Sequence, residues 1–332
     1  VAPPTTINNS TTFGDGADII TGSKGTDNVR LGENAGNSIE SGGTNNVVIG
    51  KNAGTAITTA DHNTAVGHQA GEDLTTGSRN TLMGYASGLN LIDPDRNVAF
   101  GYGSLQTDTK GTKSTAIGYS ALNTQNFSSA TDTHNTAVGY TAGESITTGV
   151  SNTLVGSLAG DALTVGGNNV AMGTAALTSD TQGSHTTAIG RKALQVQNFT
   201  TATDSHNTAI GNNAGQAVTT GVENTIVGSN AGYNTSTTSG LTYVGRAAGY
   251  STTGQHNTFI GEGAGYYVTS GEKNTIIGRY TGNQGGLDIR TSDNNIVLSD
   301  GDGNPRLICN SAGEIGMNGL PSGTVSLNVV AD

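Results

Sequence analysis

The chain has no tryptophan, one cysteine (Cys309), five prolines and only 12% charged residues in 332 positions. Each shortage excludes something. A single cysteine cannot form an internal disulfide framework or a cysteine-based zinc site. Few prolines, and glycines that do not fall at every third position, exclude a collagen triple helix. Fourteen basic residues against 25 acidic ones, with no basic cluster, argue against a nucleic-acid partner. No run of about 18 apolar residues exists to cross a membrane as a helix. Leu, Ile, Val and Phe together number 63, or 19%, which is too few for the thick core of an ordinary enzyme. With a net charge of −11, two solutions remain: a disordered polymer, or a repetitive structure with a thin core.

What the chain does have decides between them. Glycine supplies 52 residues, and Thr, Asn and Ser are abundant. Helix formers are sparse, so the composition points to strands and turns. The string Asn-Thr-Ala-Val-Gly and its variants recur fifteen times, with closing glycines from Gly32 to Gly278. The spacing is 17 in most cases, 21 after Gly118 and Gly190, 18 once and 16 once. Gly67, Gly139 and Gly211 are 72 apart, the mark of a duplicated four-unit block. A period of 17 suits one coil of a parallel β-roll or β-solenoid. The expected fold is all-β, with about 15 coils stacked at roughly 4.8 Å per coil into a rod roughly 70 Å long. Each coil is expected to hold two short strands. One is the motif itself, and the other is a segment such as Leu74-Thr75-Thr76-Gly77. Residues 27–283 form the repeat. Residues 1–26 read as a linker or attachment segment, and 284–332 as a C-terminal β-hairpin region.

The motif begins with asparagine in twelve of fifteen copies; Ser114, Thr186 and Leu241 are the exceptions. Stacked identical amides hydrogen-bond along a rod as a ladder. Asn63, Asn80, Asn97, Asn135, Asn152, Asn169, Asn207, Asn224, Asn257 and Asn274 are therefore assigned a structural role. With that asparagine as position one, position four is apolar in every coil from Ile49 to Ile277. Position three points the other way and is also mostly apolar. One face must fill the roll, and the other is a stripe that monomers avoid exposing. Identical stripes around a common axis would cover it, which predicts a homo-oligomer, with three chains suited to a narrow axis. The larger residues late at position three, Ile226, Tyr243, Phe259 and Ile276, are expected to thicken that axial core.

Runs such as Asn135-Thr136-Ala137-Val138-Gly139-Tyr140-Thr141-Ala142-Gly143 resemble the head repeats of trimeric autotransporter adhesins and the repetitive shafts of phage tail fibres. The segment from Asn294 through Leu307, followed by Gly313 to Pro321, is similar to the stretch that precedes an endosialidase-type intramolecular chaperone in phage fibres. These resemblances imply a trimeric β-roll and a fibre that attaches to a host surface. They imply other fibre or tail proteins and a cell-surface glycan or protein receptor as partners, and the virion as location. The alternative is a bacterial surface adhesin or extracellular filament subunit of the same architecture. A tailspike-type glycan hydrolase is a third reading, and it needs carboxylates grouped in a groove.

Candidate sites are few. The two 21-residue coils carry matching insertions, which must bulge outward. Gln125, Asn126, Phe127, Gln197, Asn198 and Phe199 in them are candidates for receptor contact. His62, His134, His206 and His256 each precede the motif asparagine and read as solvated turns. Asp18 and Asp27, nine apart, weakly echo a calcium-binding nonapeptide roll; no other metal or cofactor is expected. Asp300-Gly301-Asp302-Gly303-Asn304 reads as a hairpin turn. No carboxylate pair, Ser/His/Asp set or phosphate loop stands apart from the repeat, so no catalytic residue is assigned and no enzyme activity is expected.

Overall fold

The computed structural model describes residues 24–317, and the account of the structure concerns these. It is a β-solenoid, with no helix among the described residues. Three-residue strands from Val29–Leu31 to Thr275–Ile277 recur once per coil. They pair in parallel and in register with the coils before and after. Thr64, Ala65 and Val66, for example, face Thr81, Leu82 and Met83. A sixteenth rung, Ile296–Ser299, extends the parallel sheet beside Thr275–Ile277. It follows Asn295 but lacks a closing glycine. Pro305–Cys309 and Ile315–Met317 then add antiparallel strands. Sixteen rungs at about 4.8 Å each give a sheet about 75 Å long.

The segment expected as a second strand is not one. Residues such as Leu74 to Gly77 form a bend. Backbone hydrogen bonds run up this side, as in Thr58 N–H to the Thr75 carbonyl (3.0 Å) and Thr147 N–H to the Thr164 carbonyl (2.9 Å). The glycine after Thr-Thr turns the chain, so that where its N–H bonds the next coil, as at Gly149, it shares the Thr164 carbonyl that Thr147 already uses (3.2 Å). Only the 21-residue coils have room for more. There Gly111–Thr112 pairs with Thr131–Asp132, and Gly183–Ser184 with Thr203–Asp204.

The assignment of faces also needs correction. Position three points into the roll. Val48, Leu82, Leu154, Ile226, Tyr243, Phe259 and Ile276 are fully buried. Positions two and four point outward from the strand. The large residues late in the chain therefore thicken the interior of each coil and do not line an axis between chains. Tyr243 and Phe259 stack inside, 5.1 Å apart and nearly parallel.

The core is thin, and each coil fits only a few side chains into it. Its other lining positions are eight, mostly alanine, and twelve. Where position nine is glycine, twelve is a large aliphatic: Leu74, Leu91, Ile146 and Leu163 are all buried. Where position nine is Leu105, Leu122, Leu177 or Leu194, position twelve becomes Asp108, Gln125, Asp180 or Gln197, also buried. The two cannot be large together: a Cβ on Gly88 would sit 2.7 Å from Leu91 Cδ1. In the coil that holds the Tyr243 ring, position twelve is the smaller Thr252, also buried.

The closing glycine has a different reason. Gly84 has φ +133°, and a Cβ there would lie 2.5 Å from the Gly101 carbonyl oxygen in the next coil. Both the dihedral and the stacking distance exclude a side chain. Gly84→Ala should therefore lose at least about 1–3 kcal/mol of stability in urea unfolding. Gly301→Ala, where nothing lies within 4 Å, should change it by less than about 0.5 kcal/mol. Equal effects of the two would contradict this account of the motif glycine.

Candidate functional site

The motif asparagines form a continuous internal relay. The Asn63 side-chain amide donates to Asn46 Oδ1 (3.1 Å) and to the Gly77 carbonyl of its own coil (2.9 Å). Its Oδ1 accepts the backbone N–H of Asn80 (2.9 Å). One side chain thus closes its own coil and joins it to both neighbours. Asn80, Asn97, Asn135, Asn152, Asn169, Asn207, Asn224 and Asn274 likewise donate to a corner carbonyl fourteen to eighteen residues on. Asn257 donates to the Gly271 carbonyl (2.8 Å) and accepts from Asn274 N–H (2.8 Å). None of these amides is available to a ligand.

The 21-residue coils interrupt the relay at Ser114 and Thr186, and the insertions repair it. Gln125 Nε2 donates to Asp108 Oδ2 (2.6 Å) and to Ser114 Oγ (2.9 Å). Its Oε1 accepts from the Asn135 amide (2.9 Å). Gln197 does the same with Asp180 (2.7 Å), Thr186 (3.1 Å) and Asn207 (2.8 Å). The glutamine stands where the missing asparagine would be. Phe127 and Phe199 fold back into the roll and are buried. Four of the six expected receptor-contact residues, Gln125, Phe127, Gln197 and Phe199, are thus inside the rod. Only Asn126 is exposed; Asn198 is half-buried. What the insertions present outward is Ser128-Ser129-Ala130 and Thr200-Thr201-Ala202, small and mostly hydroxylated residues that are all exposed.

Asp108 is a buried carboxylate. Burial pushes it above the usual carboxylate range, against hydrogen bonds from Gln125 and from the Gly111, Phe127 and Lys110 backbone. The four histidines are exposed turn residues with φ between +49° and +60°. His206 lies beside His185 at 5.4 Å, and His185 Nδ1 is 2.9 Å from Asp204. No metal-binding cluster occurs among the described residues. Asp27 is exposed, and Asp18 lies outside the described residues. Asp300 is committed to its own hairpin: it accepts the Asn304 N–H at 2.9 Å, and Arg306, with that turn, draws its carboxyl down to about 2.

Three outer surfaces remain. The first is the strand face, where position four forms an apolar stripe along the rod. Phe100 is 50% exposed, Met172 43% and Ile277 45%. The second is a stack of exposed tyrosines directly after the closing glycine. Tyr85, Tyr102, Tyr119 and Tyr140 lie 4.9, 5.1 and 5.3 Å apart with rings within 15° of parallel. Their place one residue past each glycine is visible in the sequence, but stacking follows only once the coils are in register. The third lies at the far end, where Tyr233, Tyr250 and Tyr266 stack and Tyr267 stands edge-on to the last of them.

The repair by Gln125 can be tested with Gln125→Glu, which brings a second carboxylate against Asp108. The variant should be less stable than the parent by about 2–4 kcal/mol at pH 7. A raised folded-state pKa stabilises the fold in acid, and that contribution is lost as pH rises through the raised value. The deficit should therefore shrink by pH 4, where the pair can share a proton. A deficit that does not depend on pH in urea unfolding would contradict the direct contact. No protein-family model, curated protein or solved structure matches the chain.

Proposed function

We propose that the protein is a structural and adhesive fibre component, a homotrimeric rod of the phage tail-fibre kind that attaches to a host-cell surface. The observation that carries this reading is the exposed stripe at position four. It is apolar in every coil, from Leu31 through Phe100, Met172 and Ile210 to Ile277. A stripe of this length, about 75 Å by the rung spacing, is the kind of surface that identical chains cover in one another. The rod inside is already satisfied without it, because position three fills the coil. Three parallel copies would place every rung of one chain beside the same rung of the others.

Such an assembly needs no chemistry. It holds the insertion tips, the tyrosine stacks and the distal aromatic end at fixed heights, in triplicate. Weak contacts repeated on one rigid body give avidity well beyond that of any single contact. The low charge suits a stacked rod, and the hydroxylated insertion tips suit contact with polar cell-surface material. The other occupants of the fibre would be tail proteins that continue the rod.

Light scattering should give a mass about three times that of the 33.2 kDa chain. The triple variant Met172→Glu, Ile189→Glu, Ile210→Glu alters only outward positions and should scatter as a single chain with the same β-sheet circular dichroism. A monomeric parent chain would overturn the trimer. For attachment, the labelled parent rod should be retained on bacterial envelope preparations more strongly than the monomeric variant, and equal retention would overturn the avidity argument.

A further inference from the structure

We propose that Tyr267 is the platform of a saccharide-binding site, and that its ligand is an acidic oligosaccharide. The inference rests on the attachment function above and supplies the ligand class for it.

The stacked tyrosines cannot serve a sugar in this way. In Tyr233, Tyr250 and Tyr266 the ring centroids are 5.1 and 4.8 Å apart and the rings lie within 13° of parallel. Each covers a face of the next, which leaves the ring inside the stack with only its edges open. Tyr267 departs from the stack. It meets Tyr266 at 78°, and among the described residues no ring lies parallel to it. It is 56% exposed. A sugar ring has an apolar C–H face and a rim of hydroxyls, and an open aromatic face is what the C–H side needs.

Tyr267 also lines two clefts. The first, of about 210 Å³, is bounded by Arg246, Glu262, Gly263, Tyr266, Arg279 and Thr281. The second, of about 310 Å³, is bounded by Thr269, Asp288, Arg290 and Thr291. Both lie at or below the low end of a drug-sized pocket, roughly 300–1,000 Å³, so each takes about one ring. Gly263 keeps the first cleft open. A Cβ there would approach only Thr281 Cγ2, at 4.0 Å. The same coil position carries a side chain in Asn213, Asn230 and Ala247.

Each cleft sets a guanidinium–carboxylate pair beside the aromatic. Arg246 hydrogen-bonds Glu262, and Arg279 Nε lies 4.0 Å from the same carboxylate. Arg290 binds Asp288 in a fork, with Nε and Nη2 at 2.9 and 2.7 Å. Planar pairs of this kind offer fixed donors and acceptors to neighbouring hydroxyls. Three guanidiniums face two carboxylates, a local positive excess on a chain of net charge −11. Arg279 is the loosest of the three and is the group placed to receive a sugar carboxylate.

The full chain is titrated by calorimetry and saturation-transfer NMR with trigalacturonate, a hyaluronan tetrasaccharide, a sialic-acid trimer, neutral cellotriose and acetate. Saturable binding of at least one acidic oligosaccharide is expected, at least tenfold tighter than cellotriose, with no competition from acetate. Tyr267→Ala should weaken it at least tenfold. Arg279→Gln should remove the preference for the acidic probe and leave cellotriose unchanged. Both side chains are exposed, so the melting temperature should hold. No saturable binding by any saccharide, or parental affinity in Tyr267→Ala, overturns the site. Retention on envelopes separates this from the wider reading. If Tyr267→Ala rods are retained like the parent, the site fails and attachment stands. If parent rods are not retained, attachment fails and the titrations alone decide the site.

Discussion

A side-chain amide that bonds above, below and across its own coil is the constraint on which this molecule depends. Short strands of three residues offer few backbone bonds per rung, and the rest of each coil bends too sharply to form a full second ladder. The motif asparagine supplies what is missing. Its Nδ2 closes the corner of its own coil, and its Oδ1 accepts the backbone N–H of the next. The group is buried, so each of these bonds matters at the cost of leaving a polar atom unpaired. At Ser114 and Thr186, two of the three places where the asparagine is lost, Gln125 and Gln197 reach in from the following insertion and restore the amide.

The second constraint is volume. A coil this narrow holds position three, an alanine at eight and one further side chain. Nine and twelve trade size in every coil of the duplicated block, and position twelve is only Thr252 in the coil that holds the Tyr243 ring. A chain with 19% large aliphatics and phenylalanine can fold because these residues stand at fixed heights on one axis. The remaining apolar residues face outward, as Phe100, Met172 and Ile277 do, and take no part in filling the coil. Rigidity follows from the inner ladder, and function from what the rigid surface repeats.

Much of this was legible in the sequence. The period, the parallel stacking and the amide ladder follow from Asn and Gly at fixed spacing. Four things were not. Positions three and four are both apolar, so pattern alone could not say that Val48 and Tyr243 point inward and Phe100 outward; closing the coil decides it. The insertions had to bulge, but their phenylalanines fold back, since Phe127 and Phe199 gain more from the roll than from water, and Gln125 is drawn in by the gap at Ser114. The clefts beside Tyr267 join residues from three successive coils, and they exist only once the register places Arg246, Glu262 and Arg279 in a column. The sixteenth rung was hidden because Ile296–Ser299 lacks the closing glycine, while Asn295 before it still bonds to Asn274 Oδ1 (2.8 Å).

The interior thus builds a rod that is complete in itself, while its outer faces are available for contact. The amide relay is the claim to test first, because the register of every surface depends on it. The direct measurement is the unfolding free energy of Asn152→Ala. That change leaves the Gly166 carbonyl and the Asn169 N–H without their buried partner. A loss of about 2–5 kcal/mol is the result the account predicts. A loss below about 0.5 kcal/mol would show that the coils hold together without the asparagine, and would contradict it.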